Sequence, residues 1–501
     1  MTLDWPTRRA TGQPMSIPST DTTAGHGAFV PPYPPRLPTS PSTLKRLLIA
    51  RRDFLEMWED EAFDLEFSQS RMFLRQTFLC NSPESVQFAF SQKNASFQRK
   101  SPQMRYALAP LLGDGLFVSD GATWKTRRRI VAPIVHISKV PDFAPVMVEA
   151  AVETRERWGA TQGSTIDVLA DSAKLTAEII CRTLFGRKLG EDYAAQIVRG
   201  FSNYQSAIGQ IDLIYFLGLP DWFPRWHSRR VHHNVRQIHA VLDEVVASAR
   251  ERAGIGEPSV INHLFEARDE NGAPLDAEAL RNEIAVLFMA GHETTANTLA
   301  WTWYLLSQAP EVEAKLHAEL DRVLGDKVPA LADVPQLVYT RAILDEALRL
   351  YPPVPILPRE AVQEEEFQGV RIPKGSLLFV VPWLLHRHRK LWELPDHFIP
   401  ERFLPENSGK ISKFAYVPFS IGPRICAGAN FGLTEAILCL ATLAQKFTLR
   451  LKPGHVVKPV CRLTLRPEGG LPMTVHARSP GGAQPDAGAP RPAATCPVHH
   501  A

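Results

Sequence analysis

The sequence predicts a mainly α fold with a minor β portion: one large helical domain with small sheets over roughly residues 42–478. Three observations carry that reading. Apolar residues recur at helical spacing through most of this span. The run "LRNEIAVLFMAGHETTANTLAWTWYLLSQAP", ending at Pro310, is apolar on nearly all sides, the pattern of a helix that crosses a core. Strand-like runs are few and short.

The chain has 501 residues, 45% hydrophobic and 22% charged, an ordinary globular balance. A net charge of +3 over that length singles out neither nucleic acid nor an anionic surface as partner. Six cysteines (Cys80, Cys181, Cys426, Cys439, Cys461, Cys496) show no C-x-x-C spacing. That argues against a disulfide framework, a zinc finger or an iron–sulfur cluster, and suits a reducing cytoplasm. No segment holds the roughly 20 consecutive apolar residues of a transmembrane anchor. The N-terminus, "MTLDWPTRRATGQ", lacks the apolar centre of a signal peptide. A soluble cytoplasmic monomer is the expectation.

Taken in order, residues 1–41 read as a Pro-rich leader, with "FVPPYPPRLPTSP" extended and polyproline-like. "PSTLKRLLIARRDFLEMW" then spaces Leu44, Leu47, Leu48, Leu55 and Trp58 as one helical face with basic residues opposite. Either a membrane-surface helix or a first helix packed on the core gives that pattern. "KTRRR" at 125–129 reads as a solvated basic face. Inside the long apolar helix, "AGHETT" needs a reason, because unpaired buried polar groups are expensive. Local hydrogen bonds from Thr294 or Thr295 to the preceding turn would satisfy it, and Gly291 would loosen the helix there. "DEALRLYPP" sets Glu346 and Arg349 three residues apart, where they can pair, a spacing that any surface helix can show. "EEFQGVRIPKGSLLFVVPW" reads as strands around Val370–Trp383, and "CRLTLRPEGGLPMTVHA" as a hairpin. Residues 479–501 read as a disordered tail, whose Cys496, His499 and His500 are also a conceivable metal set.

The stretch "FSIGPRICAGANFG" places Cys426 between glycine turns, just before the apolar run "ANFGLTEAILCLATLAQKF". A thiolate is stabilised by positive potential and free N–H groups, and a helix start offers both. Gly422 and Gly428 permit tight turns and close approach to a flat partner, and Arg424 can meet an anion. Taken alone, this is either a reactive thiolate or a structural loop.

Phe419-x-x-Gly422-x-Arg424-x-Cys426-x-Gly428 resembles, at every fixed position, the haem-binding signature of the cytochrome P-450 superfamily. The resemblance extends over nearly all of residues 42–478 and implies the P-450 fold. Glu346-x-x-Arg349, the segment "FIPERF" with Arg402 and the cysteine loop follow in the family's order. It implies haem b as cofactor, with Cys426 as axial ligand of the iron, a ligand that pushes electron density onto the metal. It implies that Glu346, Arg349 and Arg402 form a charged cluster supporting the cysteine loop. Ala290-Gly291-x-Glu293-Thr294 matches the oxygen-activation motif, with Thr294 hydrogen-bonding dioxygen and Glu293 relaying protons. Trp124 and Arg128, in "W-x-x-x-R", and Arg359, after "VPILP", are expected to bind haem propionates. On this reading Arg127 and Arg129 stay solvated, as docking points for an acidic electron donor.

The expected activity is a soluble, bacterial-style haem-thiolate monooxygenase. It would insert one atom of dioxygen into a small apolar substrate, a fatty acid, terpenoid or steroid. With no flavin or ferredoxin domain in the sequence, electrons are expected from a separate ferredoxin or flavodoxin and an NAD(P)H-dependent reductase. Two alternatives stand beside it: a peroxygenase of the same fold using hydrogen peroxide, and a non-catalytic haem-binding sensor. Val286, Ala290 and Ile356 are candidate pocket walls, with turns at Val354–Leu357 and Glu468–Leu471.

Overall fold

The computed structural model describes residues 28–72, 74–186, 191–208, 227–251, 259–461 and 463–478. Most of the Pro-rich leader and the whole tail, with Cys496, His499 and His500, lie outside them. The principal helices are α1 (Thr43–Arg52), α2 (Pro102–Leu112), α3 (Gly121–Ile134), α4 (Val140–Ala160), α5 (Val168–Phe185) and α6 (Glu191–Ala207). They continue with α7 (Arg229–Glu251), α8 (Val260–Glu266), α9 (Ala277–Gln308), α10 (Pro310–Val323), α11 (Val338–Leu350) and α12 (Ala429–Ala444).

Helix α9 is the long apolar run of the sequence, 32 residues and so about 48 Å of helix. Asp276 caps it by accepting the Ala279 N–H at 2.7 Å, and Pro310 opens the next helix. Its buried Trp301 stacks on Tyr351 with ring centres 3.8 Å apart. Gly291 leaves α9 continuous; its value lies in contact with α5, because a Cβ there would sit 2.9 Å from Ile180 Cδ1. The expectation that Gly291 loosens the helix is therefore replaced by one of close helix packing.

A five-stranded sheet, in the order β1-β2-β8-β5-β3, closes one side: β1 (Phe67–Met72), β2 (Arg75–Cys80), β3 (Arg99–Lys100), β5 (Leu357–Glu360) and β8 (Leu377–Val380). Only β2 and β8 run parallel within it, Thr77 facing Leu377. The predicted run 365–383 holds β8 and the small pair β6 (Glu365–Phe367) and β7 (Val370–Ile372).

Two local expectations are corrected. "CRLTLRPEGGLPMTVHA" is not a hairpin: β11 (Leu465–Pro467) pairs with β10 (Pro459–Cys461), whereas β12 (Pro472–Ala477) pairs with β4 (Thr165–Asp167) and β9 (Phe447–Leu451). The positive φ of Gly469 and Gly470 turns the chain away, and Asp167 Oδ1 then accepts the Leu471 N–H at 2.9 Å. The first helix stops at Arg52, where extended Asp53 caps a short 3-10 turn, Phe54–Met57. Leu47, Leu55 and Trp58 are buried, but Leu44 and Leu48 are 62% and 58% exposed, so the five residues do not share one face.

One stretch within Gly121–Ala160 is apolar enough to pass for a membrane span by composition. It is two helices separated by the turn Ile137–Lys139, and Val131, Phe143 and Met147 from it are buried in the core. Residues 29–36 pack on the domain: Tyr351 Oη donates to the Pro32 carbonyl at 2.7 Å and Arg36 Nη2 donates to both Asp396 oxygens at 2.6 and 2.7 Å.

Candidate functional site

The cysteine loop is a tight 3-10 turn at Gly422–Arg424 leading into α12. Gly422 has φ +76°, and a Cβ there would lie 1.9 Å from the Phe90 carbonyl oxygen, so no other residue fits. The requirement for this glycine thus comes from packing against protein. Gly428 differs: a Cβ there would meet no atom within 4 Å, so it borders open space. The Cys426 N–H donates to the Phe419 carbonyl at 2.9 Å and fixes the thiol's direction.

Cys426 and Ile425 are exposed although they lie amid the fold, because they open into a cleft. Protein surrounds that cleft, so burial still raises the Cys426 thiol pKa, while the Gly428 N–H and the charges of Arg128 and Lys100 pull it down. On α9, most of whose middle is buried, Ala290 is exposed and Thr294 half-buried. They are four residues apart and share a face. A Cβ on Gly432 would lie 3.6 Å from Thr295 Oγ1, so the start of α12 and the middle of α9 border the same region.

Four cations gather there. Arg424 is buried, stacks 4.5 Å from the Trp124 ring centre and donates to the Ser119 carbonyl at 2.7 Å, leaving its Nε without a partner. Burial, aided by Arg128 and opposed by Asp120, brings its pKa down to about 10. Burial first and then Arg424 bring buried Arg359 down to about 9. Lys100, which the sequence reading missed, is buried 4.3 Å from the Phe117 ring centre. Its pKa falls well below the ordinary value through burial and then repulsion from Arg359 and Arg424. Half-buried Arg128 is lowered by burial and feels the charge of Cys426. None of the four makes an ion pair among the described residues. Buried like charges without a counter-ion are costly, so the cluster is built for an anion.

Behind the loop, Glu346 and Arg349 are fully buried and fork onto each other at 2.7 and 2.7 Å. Arg349 also donates to the carbonyls of His386, Pro395 and His397 at 2.8, 2.6 and 2.9 Å. Glu346 accepts the Ile399 N–H at 2.9 Å, and Arg402 Nε lies 3.4 Å away as a third charge. His386 completes the link: its Nε2 accepts the Val417 N–H at 2.9 Å, two residues ahead of Phe419. Tyr416 Oη donates to the Asp345 carbonyl at 2.9 Å. His386 and Tyr416 were not singled out in the sequence, where nothing distinguishes them from other polar residues.

Glu293 and Thr294 are adjacent but diverge. Thr294 Oγ1 donates back to the Ala290 carbonyl at 2.8 Å. Glu293 accepts from Thr464 Oγ1 at 2.6 Å and from Gln205 Nε2. It borders a cavity of about 700 Å³, lined also by Asn297, Arg157, Lys174 and Glu468. The Glu468–Gly470 turn therefore lines this cavity of mixed polar and apolar walls, while Val286 is buried and Ile356 partly buried against the core. Arg127, expected in solvent, is buried instead: Asp114 at 3.1 Å and Glu283 at 3.5 Å draw it inward. Arg129 is exposed and meets Glu270 at 3.3 Å.

The cytochrome P450 family profile matches residues 65–472. The chain is 33% identical over 399 residues to cyclooctatin synthase of Streptomyces melanosporofaciens, covering 78% of this chain and 84% of that one. It is 32% identical over 375 residues to cyclooctat-9-en-7-ol 5-monooxygenase of the same organism, covering 74% and 79%. Against pentalenene oxygenase of Streptomyces avermitilis it is 29% identical over 372 residues, covering 74% and 82%. The fold matches the crystal structure of the cytochrome P450DA haem domain with a TM-score of 0.77 at 28% identity, over 90% of this chain and 99% of that one. With most of its length matched in both sequence and fold, the chain belongs to the cytochrome P450 family, as an oxidoreductase of the monooxygenase kind that works with haem iron.

Proposed function

We propose that the protein holds haem b between α9 and the cysteine loop and oxygenates a polycyclic terpenoid. The observation that carries this is the cluster of buried Lys100, Arg359 and Arg424 with half-buried Arg128 beside an open-facing thiol. Two haem propionates supply the anionic charge that cluster lacks, and arginine forks suit carboxylates. The unpartnered Arg424 Nε and the open space at Gly428 fit the same group. Cys426 is the iron ligand in this reading; binding the metal removes its proton, and the neighbouring cations favour that thiolate. Haem so bound supplies dioxygen activation and oxygen-atom transfer to carbon.

The remaining work falls to side chains of α9. Each turnover needs two protons inside the cleft. Glu293 borders the cavity on one side of α9, and Thr294 stands one residue on, toward the cleft. We place Glu293 as the proton carrier and Thr294 as the hydroxyl that receives and orients. Trp124 stacks on Arg424 and holds its guanidinium toward the cleft. Electrons then come from a separate ferredoxin or flavodoxin with its reductase, as two one-electron deliveries, and Arg129 remains an exposed docking charge. The acid–alcohol pair favours this reading over direct use of peroxide.

Relatives named for pentalenene and cyclooctat-9-en-7-ol favour terpenoids over linear fatty acids. The test is a spectral titration of the ferric protein with linear fatty acids and with rigid polycyclic terpenoids. Loss of iron-bound water moves the haem band to the blue. A saturable shift with polycyclic probes supports the proposal; a shift with linear chains alone overturns the substrate class.

A further inference from the structure

The buried carboxylate of Glu283 has no part in the site described above. It lies on α9 three residues before Val286, so the two share one side of the helix. Both of its oxygens face the Leu116 N–H, at 3.0 and 3.3 Å, and Oε1 is 3.5 Å from Arg127 Nε. Arg127 Nη2 reaches back to Asp114 at 3.1 and 3.3 Å, and Asn282 Nδ2 donates to Asp114 Oδ1 at 3.2 Å. Glu283, Arg127 and Asn282 thus converge on residues 113–118, which supply Asp114 and form most of the connection between α2 and α3. Glycines make the approach possible. A Cβ on Gly113, φ +52°, would lie 2.2 Å from Asn282 Nδ2, and one on Gly115 would lie 2.8 Å from Val286 Cγ2. A little further along, the Ser119 carbonyl is held by Arg424 of the cation cluster.

We propose that Glu283 is a positioning residue for the substrate pocket. With Arg127, Asp114 and Asn282 it clasps loop 113–118 onto α9 and so sets the wall at Val286. The proposal rests on the haem site proposed above and on the sequence expectation that Val286 is a pocket wall; its buried side chain packs against Gly115 of this loop. The clasp is charge-dependent. Burial pushes Glu283 up to about 7, against the pull of Arg127 and the Leu116 N–H, with Asp114 adding repulsion. Arg127 and Asp114 are the charges that face it. Helix α7 brings His239, bonded to the Leu111 carbonyl, and Asp243, paired with Arg281; α8 brings His263. Ionised Glu283 holds both Arg127 and the loop amide. The neutral acid keeps the amide but loses its grip on Arg127.

The test uses the haem-loaded protein and two iron-binding probes, imidazole and the bulkier 4-phenylimidazole, so that it does not depend on the natural substrate. In Glu283→Gln the imidazole Kd should stay within about twofold of wild type, while that of 4-phenylimidazole changes about fivefold or more near pH 8. Near pH 6, where wild-type Glu283 is itself largely neutral, the variant-to-wild-type ratio should fall to about 1. Comparing variant with wild type at each pH cancels titration of the probes. Asp114→Asn, at the exposed end of the clasp, should shift 4-phenylimidazole in the same direction by about twofold. A ratio that does not change with pH, equal effects on the two probes, or loss of haem from both variants would overturn the proposal. Should terpenoids fail to bind while these ratios hold, only the substrate class falls.

Discussion

Replacing Arg349 by lysine is expected to cost about 3–5 kcal/mol of stability and most of the bound haem. The magnitude follows from the geometry. The guanidinium makes five hydrogen bonds, two to Glu346 and one each to the carbonyls of His386, Pro395 and His397. An ammonium has three donors and no planar fork, so at least two of those acceptors are left bare. Each buried acceptor without a partner costs about 1–3 kcal/mol. The carbonyls belong to the segment that carries His386, and His386 holds Val417 ahead of the cysteine loop, so the damage travels to Cys426. Denaturant unfolding gives the stability change, and the ratio of haem-band to protein absorbance gives the loading. Glu346→Gln is the companion: it can still accept the Ile399 N–H but strips the charge facing Arg349 and Arg402. In a double-mutant cycle the two should couple by more than about 1 kcal/mol. An Arg349→Lys protein within about 1 kcal/mol of wild type, with full haem, would refute the argument.

The other expectations are briefer. Cys426→Ser should abolish the red-shifted band of the reduced carbon monoxide complex while leaving far-UV circular dichroism unchanged; a retained band would remove Cys426 as ligand. Arg359→Met should raise the melting temperature of haem-free protein, by relieving like-charge repulsion, and weaken haem binding at least about tenfold; lowering both would mean the cation is structural. Burial holds His386 neutral with a pKa of about 3 against an ordinary 6.5. Its stabilisation is complete above the upper value and shrinks as pH falls toward the lower one, by about 1.4 kcal/mol per unit. Wild type should therefore lose stability steeply below pH 6.5, and His386→Gln should flatten that limb. Glu293→Gln should leave substrate-induced spectral shifts intact and cut product formed per reducing equivalent by about tenfold or more; unchanged coupling would exclude it as the proton carrier.

Much of the architecture was legible because its signals are local. The length of α9 follows from an unbroken apolar run, and the Glu346–Arg349 pair from a three-residue spacing on a helix. The features that escaped notice depend on distant partners. Lys100 sits in a two-residue strand, and only β5, which carries Arg359 opposite it, brings it into the cation cluster. His386 takes its role from the Val417 amide, 31 residues on in the chain, which donates to its ring. The failed hairpin at 461–477 shows the same limit. Alternation and turn glycines read identically whether two strands pair with each other or with different sheets, and a bond from Asp167, some 300 residues away, decides.

The three arginines 127–129 show how a correct compositional reading can still miss the chemistry. In sequence they are one basic face. On α3 each successive side chain is rotated by about 100°, and the structure uses all three directions. Arg127 turns inward to Asp114 and Glu283, Arg128 turns toward Cys426, and Arg129 turns outward to Glu270. A single turn of helix thereby carries the pocket clasp, one member of the anion-seeking cluster and a solvent-exposed charge. The expectation that Arg128 alone points inward failed because Glu283 is a buried acid: in a packed core a carboxylate recruits the nearest fork able to neutralise it. The link runs both ways. A change at Arg127 that lets α3 rotate must also swing Arg128, so Arg127→Lys should disturb haem loading and 4-phenylimidazole binding together. Glu283→Gln, which leaves α3 in place, should move only the second.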